Sequence, residues 1–182
     1  LPGLEPRHTE AFFFIKKFGF ERFNERLNLC VDLEKISKKT PPKELGNIKI
    51  RRATNNDKEE LVPISFMPKL YQLSFWPIEI DISFQNKPIS TFIALDKNSN
   101  KILGWASHSI HFPGSFGPTG VSKNSRGRGI GSLLLNWCLW DLKNCGHTYA
   151  KILWVEIDTA YFYSKSIGAY ICETYWPMKK RI

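Results

Sequence analysis

The chain has 182 residues, 42% hydrophobic and 24% charged, with a formal net charge of +9. That length suffices for a full core, the composition is globular rather than disordered, and no apolar run approaches the ~18 residues of a membrane helix. Cys30, Cys138, Cys145, Cys172 and the four histidines show no metal-ligand spacing, and the apolar run at 11–15 is too short for a signal core. No metal is expected, no membrane is expected, and a cytoplasmic location is expected.

Residues 9–19 begin with a capping residue and end at Gly19, which predicts a short helix. Residues 27–33 place apolar side chains at every odd position, the pattern of a half-buried strand. Two prolines and three lysines in 37–43 supply linker chemistry. A first strand over 48–52 follows, then a helix capped by Asn56-Asp57, then a second helical region through Tyr71, Phe75 and Trp76 that breaks at Pro77. The aromatics Phe66, Tyr71, Phe75, Trp76 and Phe84 belong either to an acceptor cleft or to the core.

Strands over 89–95 and 102–110 flank a turn at Asp96-Lys97-Asn98-Ser99-Asn100, and another strand ends at Val121. A helix apolar on nearly every side then runs to Asn144-Cys145-Gly146. Residues 152–155 are continuously apolar, which predicts a central strand covered on both faces. A last helix over 159–167 precedes a last strand over 170–176.

The junction before the long helix carries the chemistry. Arg126-Gly127-Arg128-Gly129-Ile130-Gly131-Ser132 opens directly into the apolar run from Leu133, so a glycine-rich loop meets a helix N-terminus. Backbone amides in such a loop can point together at an anion, and the helix dipole reinforces them. The spacing matches neither the nucleoside-triphosphate loop nor the dinucleotide fingerprint. No carboxylate stands between Asp96 and Asp141, whereas Lys97, Lys101, Lys123, Arg126 and Arg128 do, so the positive excess straddles the loop.

Arg126-x-x-Gly129-x-Gly131, set just after a strand ending at Val121, resembles the signature of the GNAT acetyltransferases. The resemblance covers residues 48–182. It implies an α/β fold with a central mixed, mostly antiparallel twisted sheet flanked by helices. It also implies acetyl-coenzyme A as cosubstrate, held by Thr119, Gly120, Val121, Arg126, Gly127, Arg128, Gly129, Ile130, Gly131 and Ser132. Phe162-Tyr163-Ser164-Lys165-Ser166-Ile167-Gly168 is similar to the family's last-helix pattern, which makes Tyr163 the candidate acid for the departing sulfur; the alternative is a packing tyrosine. Pro118 has no amide hydrogen, so an oxyanion donor must come from Thr119, Gly120 or Val121. Many family members carry a glutamate on the strand before the loop, and this chain has none. Glu156 and Asp158 are the candidates for that role, with His111 behind them; a water chain is a further alternative.

Residues 9–19 also echo residues 158–168. Alanine, three aromatics, a lysine and a terminal glycine recur at one constant interval, and both copies look like the last helix of a GNAT domain. Residues 1–37 are therefore expected to be the tail of a preceding GNAT-like domain, 38–47 a linker, and 48–182 a complete domain. A tail strand of this kind could add to a neighbouring sheet, which leaves a homodimer open. Three functions stand at this point: an N-acetyltransferase acting on a primary amine of unknown identity, a coenzyme-binding but inactive regulatory domain, and a nucleic-acid binder using the basic loop.

Overall fold

A computed structural model describes residues 3–61 and 75–181. Phe66 and Tyr71 lie outside the described residues. The chain divides into two compact units, one joining residues 1–32 with 151–182 and the other spanning 33–150.

The unit of residues 33–150 is built on strands β3 (Glu44–Leu45), β4 (Ile48–Arg52), β5 (Thr91–Asp96), β6 (Ile102–His108) and β7 (Ser115–Val121), adjacent in that order and antiparallel throughout. Its helices are α2 (Lys58–Leu61), α3 (Trp76–Gln85) and α4 (Ile130–Asn144). The alternation of side chains along β5 explains how both faces are covered. Ile93 and Leu95 join Leu61, Ile80, Ile102 and Trp105 in a core under α3, with Trp76, Phe84 and Ile89 packed against it. Phe92 points the other way and stacks on Trp137 of α4, centroids 5.4 Å apart.

One reading changes here, and one open alternative is decided for two residues. Pro77 does not break a helix but starts one, because proline is tolerated in the first turn, where its missing N–H has no intrahelical partner. Trp76 and Phe84 are core residues, while Phe75 is exposed.

The turn after β5 forms as its sequence predicts. The Asp96 carboxylate accepts the amides of Asn98 and Ser99, each at 2.9 Å, and Asn100 takes a left-handed φ of 57°. At the end of β4 the cap is Thr54 rather than Asn56-Asp57. The Asp57 carboxylate accepts the Thr54 amide at 2.7 Å and forms a two-pronged bridge to Arg51, both bonds 2.7 Å.

The unit of residues 1–32 and 151–182 contains α1 (Thr9–Lys17), β1 (Glu21–Arg22), β2 (Arg26–Asp32), the greater part of β8 (Tyr149–Val155), α5 (Ile157–Ile167), β9 (Tyr170–Tyr175) and β10 (Met178–Lys179). β2 lies between β8 and β9 and runs antiparallel to β9, while β1 pairs with β10. β2 is buried on both faces rather than half-buried. Asn28 can be buried because its side chain is fully used: Nδ2 donates to Glu173 at 2.6 Å and Oδ1 accepts the Trp154 amide at 2.9 Å.

Conversely, β8 is not covered on both faces. Ala150, Ile152 and Val155 are buried, but Tyr149 and Trp154 are exposed, and Trp154 sits at φ 55°. The two echo segments are both helices and both end at a left-handed glycine, Gly19 at φ 79° and Gly168 at φ 67°.

Two stability predictions follow from this packing. Asp57 is held down at about 2 by the Arg51 hydrogen bonds and the Thr54 contacts, against an ordinary 3.8. A depressed carboxylate stabilises the fold above its unfolded pKa and loses that contribution as pH falls through the folded value. With the shift discounted for solvent screening, Asp57→Asn costs about 1 kcal/mol at pH 7, and urea denaturation should show the gap to wild type closing between pH 4 and pH 2. Gly120→Ala would set a Cβ 2.4 Å from the ring of fully buried Trp105, and the ring has nowhere to go. We expect a loss of about 1–3 kcal/mol, read as a lower unfolding midpoint.

Candidate active site

β7 and α4 position the phosphate loop. β7 ends at Val121, a short 3-10 turn over Lys123–Ser125 follows, and α4 starts at Ile130. Gly127 and Gly129 hold φ angles of 75° and 77°, the left-handed region that costs an L side chain about 1–3 kcal/mol. Those two reversals let the loop turn tightly into the helix. Leu133 already donates to the Gly129 carbonyl at 3.1 Å, whereas helix geometry gives the amides of Ile130 and Gly131 no intrahelical acceptor. A Cβ on Gly127 would meet nothing within 4 Å, whereas one on Gly129 would sit 3.3 Å from the Leu45 side chain.

Charge at the loop is positive and largely solvent-facing. Arg126 folds back, its Nε donating to the Val121 carbonyl at 3.2 Å, which ties the loop to the end of β7. Arg128 is exposed and acts on Asp96, whose carboxyl sits below its ordinary range, first through the Ser99 amide. These residues fit a pyrophosphate: left-handed glycines, open amides at a helix start, two guanidinium groups, and no carboxylate within the loop.

The register of β7 distributes its amides. Trp105 faces Gly120, and Ser122 donates to the Leu103 carbonyl at 2.8 Å. Antiparallel alternation therefore turns the Gly120 amide toward β6 and those of Thr119 and Val121 toward the opposite edge of the strand. Thr119 Oγ donates to the Trp105 carbonyl at 3.1 Å.

Helix α4 is anchored along its length. Trp137 Nε1 donates to the Pro42 carbonyl at 3.0 Å, Trp140 Nε1 to Lys38 at 3.3 Å, and Lys143 Nζ to Glu34 and Ile36 at 3.2 and 2.5 Å. The segment read as a linker thus runs along this helix. Inside, Asp141 receives Arg52 Nη2 at 2.5 Å and faces His108 Nε2 at 2.9 Å. Burial pushes the Asp141 carboxyl up, but the bonds from His108 and Arg52 outweigh it and hold the group below its usual range.

The remaining candidates lie elsewhere in the chain. Tyr163 is buried on α5, its ring edge-on to Phe162 at 5.1 Å. Glu156 is the cap position just before α5; its side chain is 64% exposed and paired with Arg26 at 2.9 Å. Asp158 is exposed in the first turn, since the helix begins at Ile157 rather than Thr159. Sequence reasoning did not single out Glu79. This residue of α3 is largely buried, its Oε1 lies 3.0 Å from His111 Nε2, and burial raises its carboxyl above the ordinary range even against the pull of His111. The local signal was slight, since Glu79 is one of two acidic residues in the helix and, of the two, only Glu79 is buried.

Several solved structures share this fold. The chain matches, at 21% identity and a TM-score of 0.74, a GCN5-related glucosamine N-acetyltransferase region of a fungal multi-domain GH3 β-N-acetylglucosaminidase, covering 98% of this chain and 24% of that one. It matches a GCN5-related N-acetyltransferase from Sphaerobacter thermophilus at 18% identity and TM-score 0.70, with 95% and 56% covered. It also matches a tandem GNAT protein from the clavulanic acid biosynthesis pathway at 13% identity and TM-score 0.65, with 98% and 60% covered. The chain thus spans between a quarter and three fifths of these proteins. No curated protein matches its sequence. The Acetyltransferase (GNAT) family matches residues 52–169, from the end of β4 to just past α5. The fold is the GNAT fold, mixed α/β with mostly antiparallel strands flanked by helices, and the chain belongs to the GNAT acetyltransferase family.

Proposed function

We propose that this chain is an N-acetyltransferase that moves the acetyl group of acetyl-coenzyme A to a primary amine. The observation that carries the reading is the glycine-turned helix start flanked by Arg126 and Arg128, directly after β7 in a chain of this family. Residues Arg126 to Ser132 hold the pyrophosphate through amides and guanidinium groups. The amides of Thr119 and Val121 meet the coenzyme's peptide-like arm and donate to the oxyanion of the tetrahedral intermediate, with Gly120 keeping the strand close to Trp105. Tyr163 gives the departing sulfur its proton, as a phenol can at neutral pH. Residues 1–37 are read as the helix and strand of a preceding GNAT-like domain, supported by the shared glycine termination of α1 and α5. The description of the fungal neighbour makes glucosamine the first acceptor to try.

A second reading, a coenzyme-binding domain without turnover, is favoured by one observation. β7, Ser-Phe-Gly-Pro-Thr-Gly-Val, carries no carboxylate.

Calorimetry and a free-thiol release assay with glucosamine, followed by a panel of primary amines, separate the two. Wild type should bind acetyl-coenzyme A, and Arg126→Ala with Arg128→Ala should weaken binding by about 10- to 100-fold, as for lost charge-assisted hydrogen bonds. Tyr163→Phe should leave binding intact and lower kcat by about 10²-fold or more. Binding without turnover on every amine would favour the second reading, and no binding at all would reject both.

A further inference from the structure

β7 has different chemistry at its two ends. Its C-terminal end carries the phosphate loop through Val121 and Arg126. Its first residue, Ser115, is buried and fastens the β6–β7 loop: Ser115 Oγ accepts the amides of His111 at 3.3 Å and Phe112 at 3.4 Å, and donates to the Phe112 carbonyl at 2.8 Å. The other side of that loop is held by α3, where Asn86 Nδ2 donates to the Ser109 carbonyl at 3.2 Å. His111 is thereby fixed beside Glu79, and the pair belongs to the same unit as the loop and Thr119.

Among the described residues the pair joins a carboxylate to an imidazole alone, unlike Arg51 with Asp57 and unlike Asp141, which pairs with Arg52 as well as with His108. Arg51 with Asp57, and Arg52 with Asp141, match a carboxylate to a permanent cation. Glu79 faces instead an imidazole, whose ring can donate a hydrogen bond from one nitrogen and accept at the other. The Glu79 side chain is 12% exposed and that of His111 29%, so a buried carboxylate backs a ring that reaches solvent. A buried carboxylate at one ring nitrogen orients the imidazole and stabilises its cationic form, which is the arrangement that makes a histidine a base.

We propose that His111, oriented by Glu79, is the general base that takes the proton of the acceptor ammonium, a role that rests on the N-acetyltransferase reading above. An N–H bond of the ammonium breaks and its proton passes along bridging waters to the imidazole, leaving an imidazolium against the Glu79 carboxylate. The freed lone pair forms the C–N bond to the acetyl carbon. The C–S bond breaks with its electron pair going to sulfur, which takes a proton. The new amide nitrogen sheds its second proton, which balances the one on sulfur, and the imidazolium returns its own to water. Thr119 stands between Ser115 and Val121 on β7, so the His111–Glu79 pair and the phosphate loop lie toward opposite ends of the strand that carries the donors.

The test uses the whole chain, acetyl-coenzyme A, and spermidine, glucosamine and benzylamine as acceptors, with thiol release as readout. His111→Gln should lower kcat by about 10²- to 10⁴-fold on the amine that wild type turns over, with KM for acetyl-coenzyme A within twofold. Free imidazole should restore part of the rate of His111→Ala, and of no other variant. Glu79→Gln should lower kcat less, and its effect should vanish in the His111→Gln background, as for two residues acting as a unit. Urea denaturation checks that each variant folds. Full kcat in His111→Gln, or a loss that imidazole does not restore in a folded His111→Ala, overturns the assignment while leaving the acetyltransferase reading intact. Absence of turnover by wild type on every acceptor overturns that reading, and the base role with it.

Discussion

The buried carboxylate of Asp141 fixes the geometry on which the candidate site depends. Removing an unpaired carboxylate from water costs several kcal/mol, so the helix that carries it has few positions in which it can rest. Asp141 is satisfied by Arg52 from β4 and faces His108 from β6, and Arg52 is itself held by the Ile89 carbonyl at 2.6 Å and by the face of Phe92. A shift of α4 by one turn would strand the carboxylate and unstack Trp137 from Phe92. Because α4 cannot slide along the sheet, its first turn stays where β7 ends, and an anion site made of backbone amides stays aimed. The glycines determine the shape of the loop, and Asp141 determines its location.

What could be read from the sequence was local, and what could not was tertiary. The end of β7 at Val121, the termination of α4 at Asn144 and the Asp96 turn were all legible, since each is decided by residues a few positions apart. β2 reads as half-buried because alternate residues are polar. It is buried throughout because Asn28 finds Glu173 and Trp154 more than a hundred positions away. β8 erred in the opposite direction: a run of apolar residues implies two covered faces, yet Trp154 is turned out by its left-handed backbone. Thr54 displaced Asn56-Asp57 as cap because Asp57 is also claimed by Arg51. In the site, the loop was legible as a continuous motif and His111 as a candidate base, whereas Glu79 comes from a separate element and shares no spacing with it.

The helical echo shows how little a sequence pattern says about burial. α1 and α5 share aromatics, a lysine and a terminal glycine, and both stop at a positive φ. In α5, Ala160 and Tyr163 are buried and the helix packs on β2. In α1 no residue is buried, and Phe13, Phe14 and Phe18 are exposed. The residue matching Tyr163 is Phe14, so the position that is a protected phenol in one copy is an open apolar ring in the other. A role inferred from the pattern alone would apply equally to both helices, and only the surroundings tell them apart.

On the proposed reading, with His111 as base and Thr119 and Val121 as oxyanion donors, the strand needs no carboxylate of its own. A carboxylate on the strand would lie close to the developing oxyanion and would oppose it, at a cost that grows as water is excluded. Supplying proton acceptance from the β6–β7 loop instead removes negative charge from the donors Thr119 and Val121. The Glu79 charge is then balanced by the imidazolium at the moment the proton arrives, so the site carries no uncompensated anion when the tetrahedral intermediate forms. The same logic accounts for the basic loop at the far end, where a permanent positive charge faces a permanent negative one and no proton need move.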